Sequence, residues 1–278
     1  MKTVKNTKYL KMFFKYKNKA NSPEAVKKKV MHKNKLRLVL LGNLGCGKTS
    51  SADTILGQLS RVSPAAARSC QQRQNIIEGR SVTLVEAPRW YWSGGRMEDS
   101  VRKETERAMT LVAPGPHAIL LLVPVCQFTE VGFALRALET VFGPEAVQRH
   151  ALVLFTYADR LRASGKAGNE SVEAYIAGQR GDLLNLVEKC RDRFHVMESG
   201  GGETERRSVA ELLEKVEQTV KEAGGQCYSS PAFQEKRGTN QEQAKSRDVG
   251  GICLRFIPVV DFFTTATLFS KTKPPYSN

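Results

Sequence analysis

The stretch LRLVLLGNLGCGKTS at residues 36–50 constrains the fold of this chain more than any other. It begins with an apolar run typical of a buried strand, continues with the spacing G-x-x-x-x-G-K-[ST], and ends in residues with helical spacing. A glycine-rich turn between a strand and a helix directs backbone N–H groups and the positive end of the helix dipole at one anion. The sequence therefore predicts a phosphate-binding loop at the start of an α/β domain.

This phosphate loop carries the groups that a nucleoside triphosphate requires. Lys48 is expected to reach the β- and γ-phosphates and to stabilise charge on a transferring phosphoryl group, while the Thr49 hydroxyl is expected to ligate Mg²⁺. A chance glycine-rich turn is the alternative, but the flanking strand and helix patterns favour the nucleotide site. The residues predicted to bind nucleotide here are Gly42, Asn43, Leu44, Gly45, Cys46, Gly47, Lys48, Thr49 and Ser50.

The basic residues are concentrated at one end of the chain. The net charge is +15 over 278 residues, and residues 1–35 contain 12 lysines and a single acid. We interpret this segment as a solvated, disordered arm. The alternative is contact with anionic lipid, to which each lysine near the surface contributes about 1 kcal/mol. No nucleic-acid-binding signature accompanies the arm, so a nucleic-acid partner is not expected.

Cysteine usage predicts the compartment. The six cysteines are scattered and form no C-x-x-C pair, and no apolar segment typical of a signal peptide follows the basic start. Both features favour a reducing, cytoplasmic setting. Lipid contact through the arm would add a peripheral association with an intracellular membrane.

Apolar runs of strand length alternate with helical patterns along the chain. Strands are predicted at 36–41, 75–77, 81–85, 118–125, 151–155 and 194–197, and helices at 48–58, 98–112, 129–142, 170–178, 182–191 and 203–223. This alternation indicates a mostly parallel central sheet flanked by helices, in which ligands bind at the carboxyl ends of the strands. The polar tail from about residue 229 is placed outside the main fold.

Two later segments indicate which residues would bind Mg²⁺ and recognise the nucleotide base. The segment TLVEAP ends a hydrophobic strand with Glu86, where an acid on the Mg²⁺ side of a phosphate-loop fold belongs. The segment VLFTYAD ends another strand in T-x-x-D, with Thr156 and Asp159 as predicted nucleotide-binding residues. The Asp159 carboxylate would accept two hydrogen bonds from guanine N1–H and its amino group, which adenine does not offer. A helix N-cap or a loop acid is the alternative role for Asp159.

The segment LVAPGPHAILLLVP at 111–124, with RKETER before it and FTE after it, closely resembles the GIMAP family, the GTPases of immunity-associated proteins with an avirulence-induced-gene type G domain. The segments FGPEAV, CRDRFHV and GGQCYS extend the resemblance over about 36–237. The resemblance implies a Ras-like P-loop NTPase core, GTP/GDP and Mg²⁺ as ligands, and homo- or hetero-association through G domains. The organisation expected is a basic arm at 1–35, a G domain at 36–237, and a tail at 238–278.

Several positions depart from this family pattern on the γ-phosphate side. This chain has Glu86-Ala87-Pro88 where the family usually has Asp-Thr-Pro. Glu86 is expected to contact Mg²⁺ through a bound water. Arg89 stands where a glycine is frequent, and Ala67 stands where a threonine would ligate the metal.

Further departures concern the base. Tyr157 replaces a basic residue that packs on the base, and its ring is expected to stack there instead. Ser199 or Glu198 stands where the family has an asparagine near the base, and His117 resembles a family histidine, with a purely structural histidine as the alternative.

Three functions compete on these residues. The first is a GTP-binding switch or scaffold with slow or absent hydrolysis, because the groups that place water and the γ-phosphate are altered. The second is a GTPase completed by its dimer partner, and the third is an interaction protein that binds no nucleotide. An ATPase is disfavoured by Asp159 and by the family resemblance.

Overall fold

The computed structural model describes residues 35–60, 69–88, 92–93, 96–126, 128, 131–179 and 181–229. The strands in this part of the chain are β1 (Lys35–Leu41), β2 (Gln71–Ile77), β3 (Arg80–Glu86), β4 (Trp92–Ser93), β5 (Arg96–Met97), β6 (Ala118–Pro124), β7 (Ala151–Thr156) and β8 (Phe194–Val196). The helices are α1 (Lys48–Leu56), α2 (Asp99–Leu111), α3 (Val131–Phe142), α4 (Pro144–His150), α5 (Ala158–Ala163), α6 (Val172–Ala177), α7 (Gly181–Lys189) and α8 (Gly202–Glu222). Apart from Lys35, the basic arm lies outside the described residues, as does the tail at 238–278.

Six strands form one sheet in the order β2-β3-β1-β6-β7-β8. Within this sheet, five strands run parallel to one another: β3, β1, β6, β7 and β8. Only the edge strand β2 is antiparallel, and it pairs with β3. Strands β4 and β5 form a separate antiparallel pair. The predicted α/β architecture with a mostly parallel central sheet is confirmed. Its parallel strands direct the loops after β1, β3 and β7 to the same edge of the sheet.

Both faces of the sheet are covered by helices. On one face, alternate leucines of β1 share a buried cluster with residues of α1 and α8: Leu36, Leu38, Leu40, Ile55, Leu56, Leu212 and Val216. On the other face, the intervening residues of β1 share a cluster with α2, α3 and α7: Val39, Leu41, Met109, Leu138 and Leu186. Strands buried on both faces explain the continuous apolar runs in the sequence. None of the helices in the described ranges has the length and apolarity needed to cross a bilayer.

The predicted elements differ from the structure mainly at the edge of the sheet and in short helices. Strand β2 begins at Gln71, four residues before the predicted start. Residues 71–75 are all polar, so this edge strand alternates in exposure without an alternation of apolar and polar residues that the sequence could show. Helices α4 and α5 show no helical period in the sequence, since each buries a single large apolar residue, Val147 or Leu161. The helix predicted at 129–142 begins at Val131, and residue 129 lies outside the described residues.

Candidate nucleotide-binding site

The predicted phosphate loop joins β1 to α1 at the carboxyl edge of the sheet. Its three glycines have positive φ: Gly42 at 154°, Gly45 at 75° and Gly47 at 87°. A Cβ atom added to Gly42 would lie 2.5 Å from the Cys46 sulfur and 3.1 Å from the Leu122 carbonyl oxygen, so glycine is required there for steric reasons as well. The backbone curl that the motif predicts is therefore present.

Lys48 is held against the backbone of this loop. Its Nζ donates to the carbonyl oxygens of Gly42 at 2.6 Å and Asn43 at 3.0 Å. The Cys46 sulfur lies 3.8 Å from the same Nζ. Burial raises the pKa of the Cys46 thiol, so the sulfur beside the Lys48 ammonium is neutral. The loop thus presents a positive charge of the kind that phosphate oxygens attract.

Two consecutive residues at the end of β7 hold the phosphate loop from the side. The Thr156 hydroxyl donates to the Cys46 carbonyl oxygen at 2.9 Å, and the Tyr157 hydroxyl donates to the Gly45 carbonyl oxygen at 2.8 Å. A Cβ atom on Gly47 would lie 3.3 Å from the Tyr157 ring, so the ring packs closely on the loop. Tyr157 therefore tethers the phosphate loop through its hydroxyl, and its stacking on the base stays a prediction.

The segment after Tyr157 places the predicted guanine-reading acid near this tether. Asp159 lies exposed in the first turn of α5, and the N-cap of that helix is Tyr157. The alternative role of Asp159 as an N-cap is therefore wrong. Glu198, in the loop after β8, accepts from Arg162 of α5 at 2.7 and 2.5 Å, whereas Ser199 is exposed. The loops after β7 and β8 are thus joined through α5.

The predicted metal side contains an ion-pair network that the sequence did not reveal. The Thr49 hydroxyl donates to Glu86 Oε2 at 2.8 Å, so the two residues predicted on the metal side are in direct contact. Arg73 of β2 donates from Nη2 to Glu86 Oε1 at 3.0 Å and from Nη1 to Asp53 of α1 at 2.5 Å. A basic residue at a half-buried position of β2 would have indicated this network in the sequence. Because the strand is predicted to start only at residue 75, Arg73 falls outside it and its inward position is missed.

The donors on this side suit Mg²⁺ in part. Within the described ranges, His, Cys, Asp and Glu form no cluster of three or more that would hold a metal alone. The hydroxyl of Thr49 and the carboxylate of Glu86 are hard oxygen ligands, and Mg²⁺ is usually held by one or two such groups together with waters and substrate phosphates. The residues therefore fit a metal completed by nucleotide in part, because Arg73 already holds one oxygen of the Glu86 carboxylate. Ala67 and Arg89 lie outside the described residues.

His117 lies at the amino ends of the parallel strands, whereas the phosphate loop lies at their carboxyl ends. It precedes β6 and meets Arg37 of β1, whose backbone N–H donates to Nδ1 at 3.1 Å and whose Nη2 lies 3.0 Å from Nε2. The Nε of Arg37 also donates to the Gly115 carbonyl oxygen at 2.7 Å. These contacts join the amino ends of two central strands. The structural role of His117, left open by the sequence, is the one its position supports.

This pairing predicts a loss of stability in mild acid. Burial and the charge of Arg37 lower the pKa of His117 from 6.5 to about 4. At pH values between about 4 and 6.5, His117 therefore binds a proton in the unfolded chain but not in the folded chain. The free energy of unfolding falls as the pH drops through this range. We expect this histidine to contribute a loss of roughly 2 kcal/mol between about pH 7 and about pH 4.5.

Urea unfolding at both pH values, compared with His117→Gln, measures this contribution. The variant should lose less stability on acidification than the wild type. Burial also lowers the pKa values of His150 and His195, so part of the pH dependence should persist in the variant. Equal losses in the two proteins would contradict the assignment to His117.

Comparison of sequences identifies relatives of this chain. The model of the AIG1 family matches residues 36–248. Human GTPase IMAP family member 8 is 28% identical over 215 residues, which cover 74% of this chain and 29% of that protein. Immune-associated nucleotide-binding protein 9 of Arabidopsis thaliana is 28% identical over 223 residues, covering 77% of this chain and 63% of that protein. The chain thus spans less than two thirds of the length of either relative.

Solved structures share the fold at lower identity. A dimerization-deficient mutant of Toc33 from Arabidopsis thaliana matches with a TM-score of 0.52 and 16% identity, over 78% of this chain and 93% of that one. A structure of the chloroplast translocon components atToc33 and psToc159 matches with a TM-score of 0.50 and 16% identity, over 76% and 90% of the two chains. These neighbours confirm the predicted Ras-like fold class.

Proposed function

Because this chain belongs to the AIG1 family, we propose that it is a GTP-binding switch or scaffold protein with slow or absent intrinsic hydrolysis. Guanine-nucleotide binding is the property of the family's G domains. The finer features, namely guanine selectivity at Asp159, Mg²⁺ at Thr49 and Glu86, and weak hydrolysis, are our proposal for this chain. The first two rest on the contacts around the phosphate loop, and weak hydrolysis rests on the residues that stand on the γ-phosphate side.

The link between β7 and the phosphate loop is the observation that carries the proposal. Thr156 and Tyr157 hold the carbonyl oxygens of Cys46 and Gly45, and Asp159 follows two residues later on the same segment. A guanine base held by Asp159 and phosphates held by the loop would therefore share one rigid support. Such coupling of base and phosphate recognition is what a nucleotide site requires.

The phosphate contacts follow from the charges at the loop. Lys48 would exchange its bonds to the carbonyl oxygens of Gly42 and Asn43 for stronger, charge-assisted bonds to phosphate oxygens. The N–H groups at the start of α1 would bind the same anion. Mg²⁺, held by Thr49 and assisted by Glu86, would neutralise charge on the β- and γ-phosphates when bound.

Weak hydrolysis is proposed from the residues that stand on the γ-phosphate side of the site. Ala87 stands where a threonine is usual, and no glutamine or histidine after Pro88 is placed by motif to orient an attacking water. A residue supplied by a second copy is the alternative, since dimerization is important for the GTPase activity of atToc33 and psToc159. Turnover per molecule that rises with protein concentration would favour this dimer-activated alternative.

Replacing Asp159 tests guanine recognition directly. Asp159→Ala removes the carboxylate proposed to accept the N1–H and amino hydrogens, so the preference for GTP over ATP should fall about 100-fold. Isothermal titration with both nucleotides measures it. Asp182→Ala is the matched control, because Asp182 also lies exposed in the first turn of a short helix, α7.

The control variant should retain the wild-type preference for guanine. An unchanged preference in Asp159→Ala would refute the proposed role of this carboxylate. Absence of saturable binding of either nucleotide to the wild type would instead favour the interaction protein without nucleotide.

A further inference from the structure

We propose that Arg73 acts as a built-in counter-cation at the metal side of the site, so that nucleotide binding by this chain depends little on Mg²⁺. The inference rests on the proposed function, since it concerns the same nucleotide site. It arises from the network of Asp53, Arg73 and Glu86, which no sequence motif indicated. Arg73 is a positioning residue here, because it acts through the carboxylate of Glu86.

Both carboxylate oxygens of Glu86 are already engaged. Oε2 accepts from the Thr49 hydroxyl at 2.8 Å, and Oε1 accepts from Arg73 at 3.0 Å. The Glu86 side chain is only 9% exposed, so few other approaches to its oxygens remain. A metal ion, or a water bound to it, would have to compete with a guanidinium for this carboxylate.

Arg73 is held firmly in this position. Its Nη1 meets Asp53 of α1 at 2.5 Å and the Gln58 carbonyl oxygen at 3.3 Å, and its side chain is 15% exposed. The strand pairing of β2 with β3 sets Arg73 opposite Leu84, two residues before Glu86. An arginine fixed by carboxylates on two different elements is a fixed charge, in contrast to a mobile surface side chain.

The charges explain why Mg²⁺ should be held weakly. Asp53 and Glu86 together with Arg73 carry a net charge of −1, whereas the two acids alone would carry −2. A positive charge in direct contact with the carboxylate that assists the metal repels a divalent cation, and in a partly buried site this repulsion weakens binding by about tenfold or more. Glu86 is also one methylene longer than the aspartate usual in the family, which extends its carboxylate towards β2.

The release rate of a fluorescent GDP analogue, measured with Mg²⁺ and with excess EDTA, tests this inference. For the wild type we expect EDTA to accelerate release less than about threefold. In Arg73→Gln the freed Glu86 should hold Mg²⁺ tightly, so EDTA should accelerate release by about tenfold or more. Arg73→Lys, which keeps the positive charge, should behave like the wild type.

Arg80→Gln is the matched control, since Arg80 forms a similarly part-buried ion pair with Glu217, 2.7 Å apart, away from the phosphate loop. It should show the wild-type response to EDTA. A wild-type release rate that rises about tenfold or more in EDTA would overturn the inference, even if Arg73→Gln failed to fold. Equal responses in the wild type and Arg73→Gln would overturn the role of Arg73. These outcomes leave the proposed function standing, whereas absence of GDP binding in both conditions would overturn both proposals.

Discussion

Replacing Lys48 with alanine is expected to weaken GTP binding by about 100-fold or more. Lys48 is the cation of the phosphate loop, and its Nζ is already directed at the loop backbone by the carbonyl oxygens of Gly42 and Asn43. Charge-assisted bonds to phosphate are about twice as strong as neutral ones, so their loss should dominate the change in affinity. Isothermal titration with GTP and GDP measures the effect.

Two further variants separate the role of Lys48 from a general loss of positive charge. Lys166→Ala removes an exposed lysine in the turn after α5 and should bind GTP like the wild type. Lys48→Arg should not restore full affinity, because the planar guanidinium replaces a compact ammonium in a closely packed loop. GTP affinity of Lys48→Ala within about threefold of wild type would contradict the role given to this residue.

Gly115→Ala is expected to lower the free energy of unfolding by at least about 3 kcal/mol. The φ angle of Gly115 is 151°, and an added Cβ would lie 1.6 Å from the Tyr228 carbonyl oxygen and 2.9 Å from its carbonyl carbon. Tyr228 cannot move freely, since its N–H donates to the Pro116 carbonyl oxygen at 2.8 Å and its ring packs against Phe142 at 5.4 Å. The substitution should therefore detach the segment after α8.

Gly143→Ala is the control for this effect. Gly143 has a φ of 82°, but beyond its two chain neighbours no atom lies within 4 Å of the position that its Cβ would take. This variant should lose only about 1 kcal/mol, from backbone strain alone. Urea unfolding compares the two variants. Equal losses of unfolding free energy in the two variants would mean that Gly115→Ala relieves its clash with Tyr228 at no cost in stability.

The parts of the fold that local patterns determine were predictable from the sequence. Strands β1, β6 and β7 are buried on both faces, so their apolar runs identify them directly. The phosphate loop is equally local, because its glycines, Lys48 and Thr49 lie within eight residues. Asp159 was found by its position after a strand, although its role in base recognition is still a prediction.

Contacts between distant parts of the chain were not predictable. Arg73 meets Asp53 and Glu86 only because β2 pairs with β3 beside α1, and no pattern within any one of these elements indicates the contact. The bond from the Tyr157 hydroxyl to Gly45 spans 112 residues of sequence. The sequence showed Tyr157 as a departure from the family pattern, but its hydrogen-bond partner depends on how the sheet brings β1 and β7 to the same edge.

Equilibrium binding of GTP, GDP and ATP to the wild-type chain tests the proposed function most directly. We predict saturable binding of both guanine nucleotides at micromolar concentration or below, with ATP bound about 100-fold more weakly. This result would support the phosphate loop and Asp159 acting as one site. Equal affinity for GTP and ATP, or no saturable binding of any of the three, would contradict it.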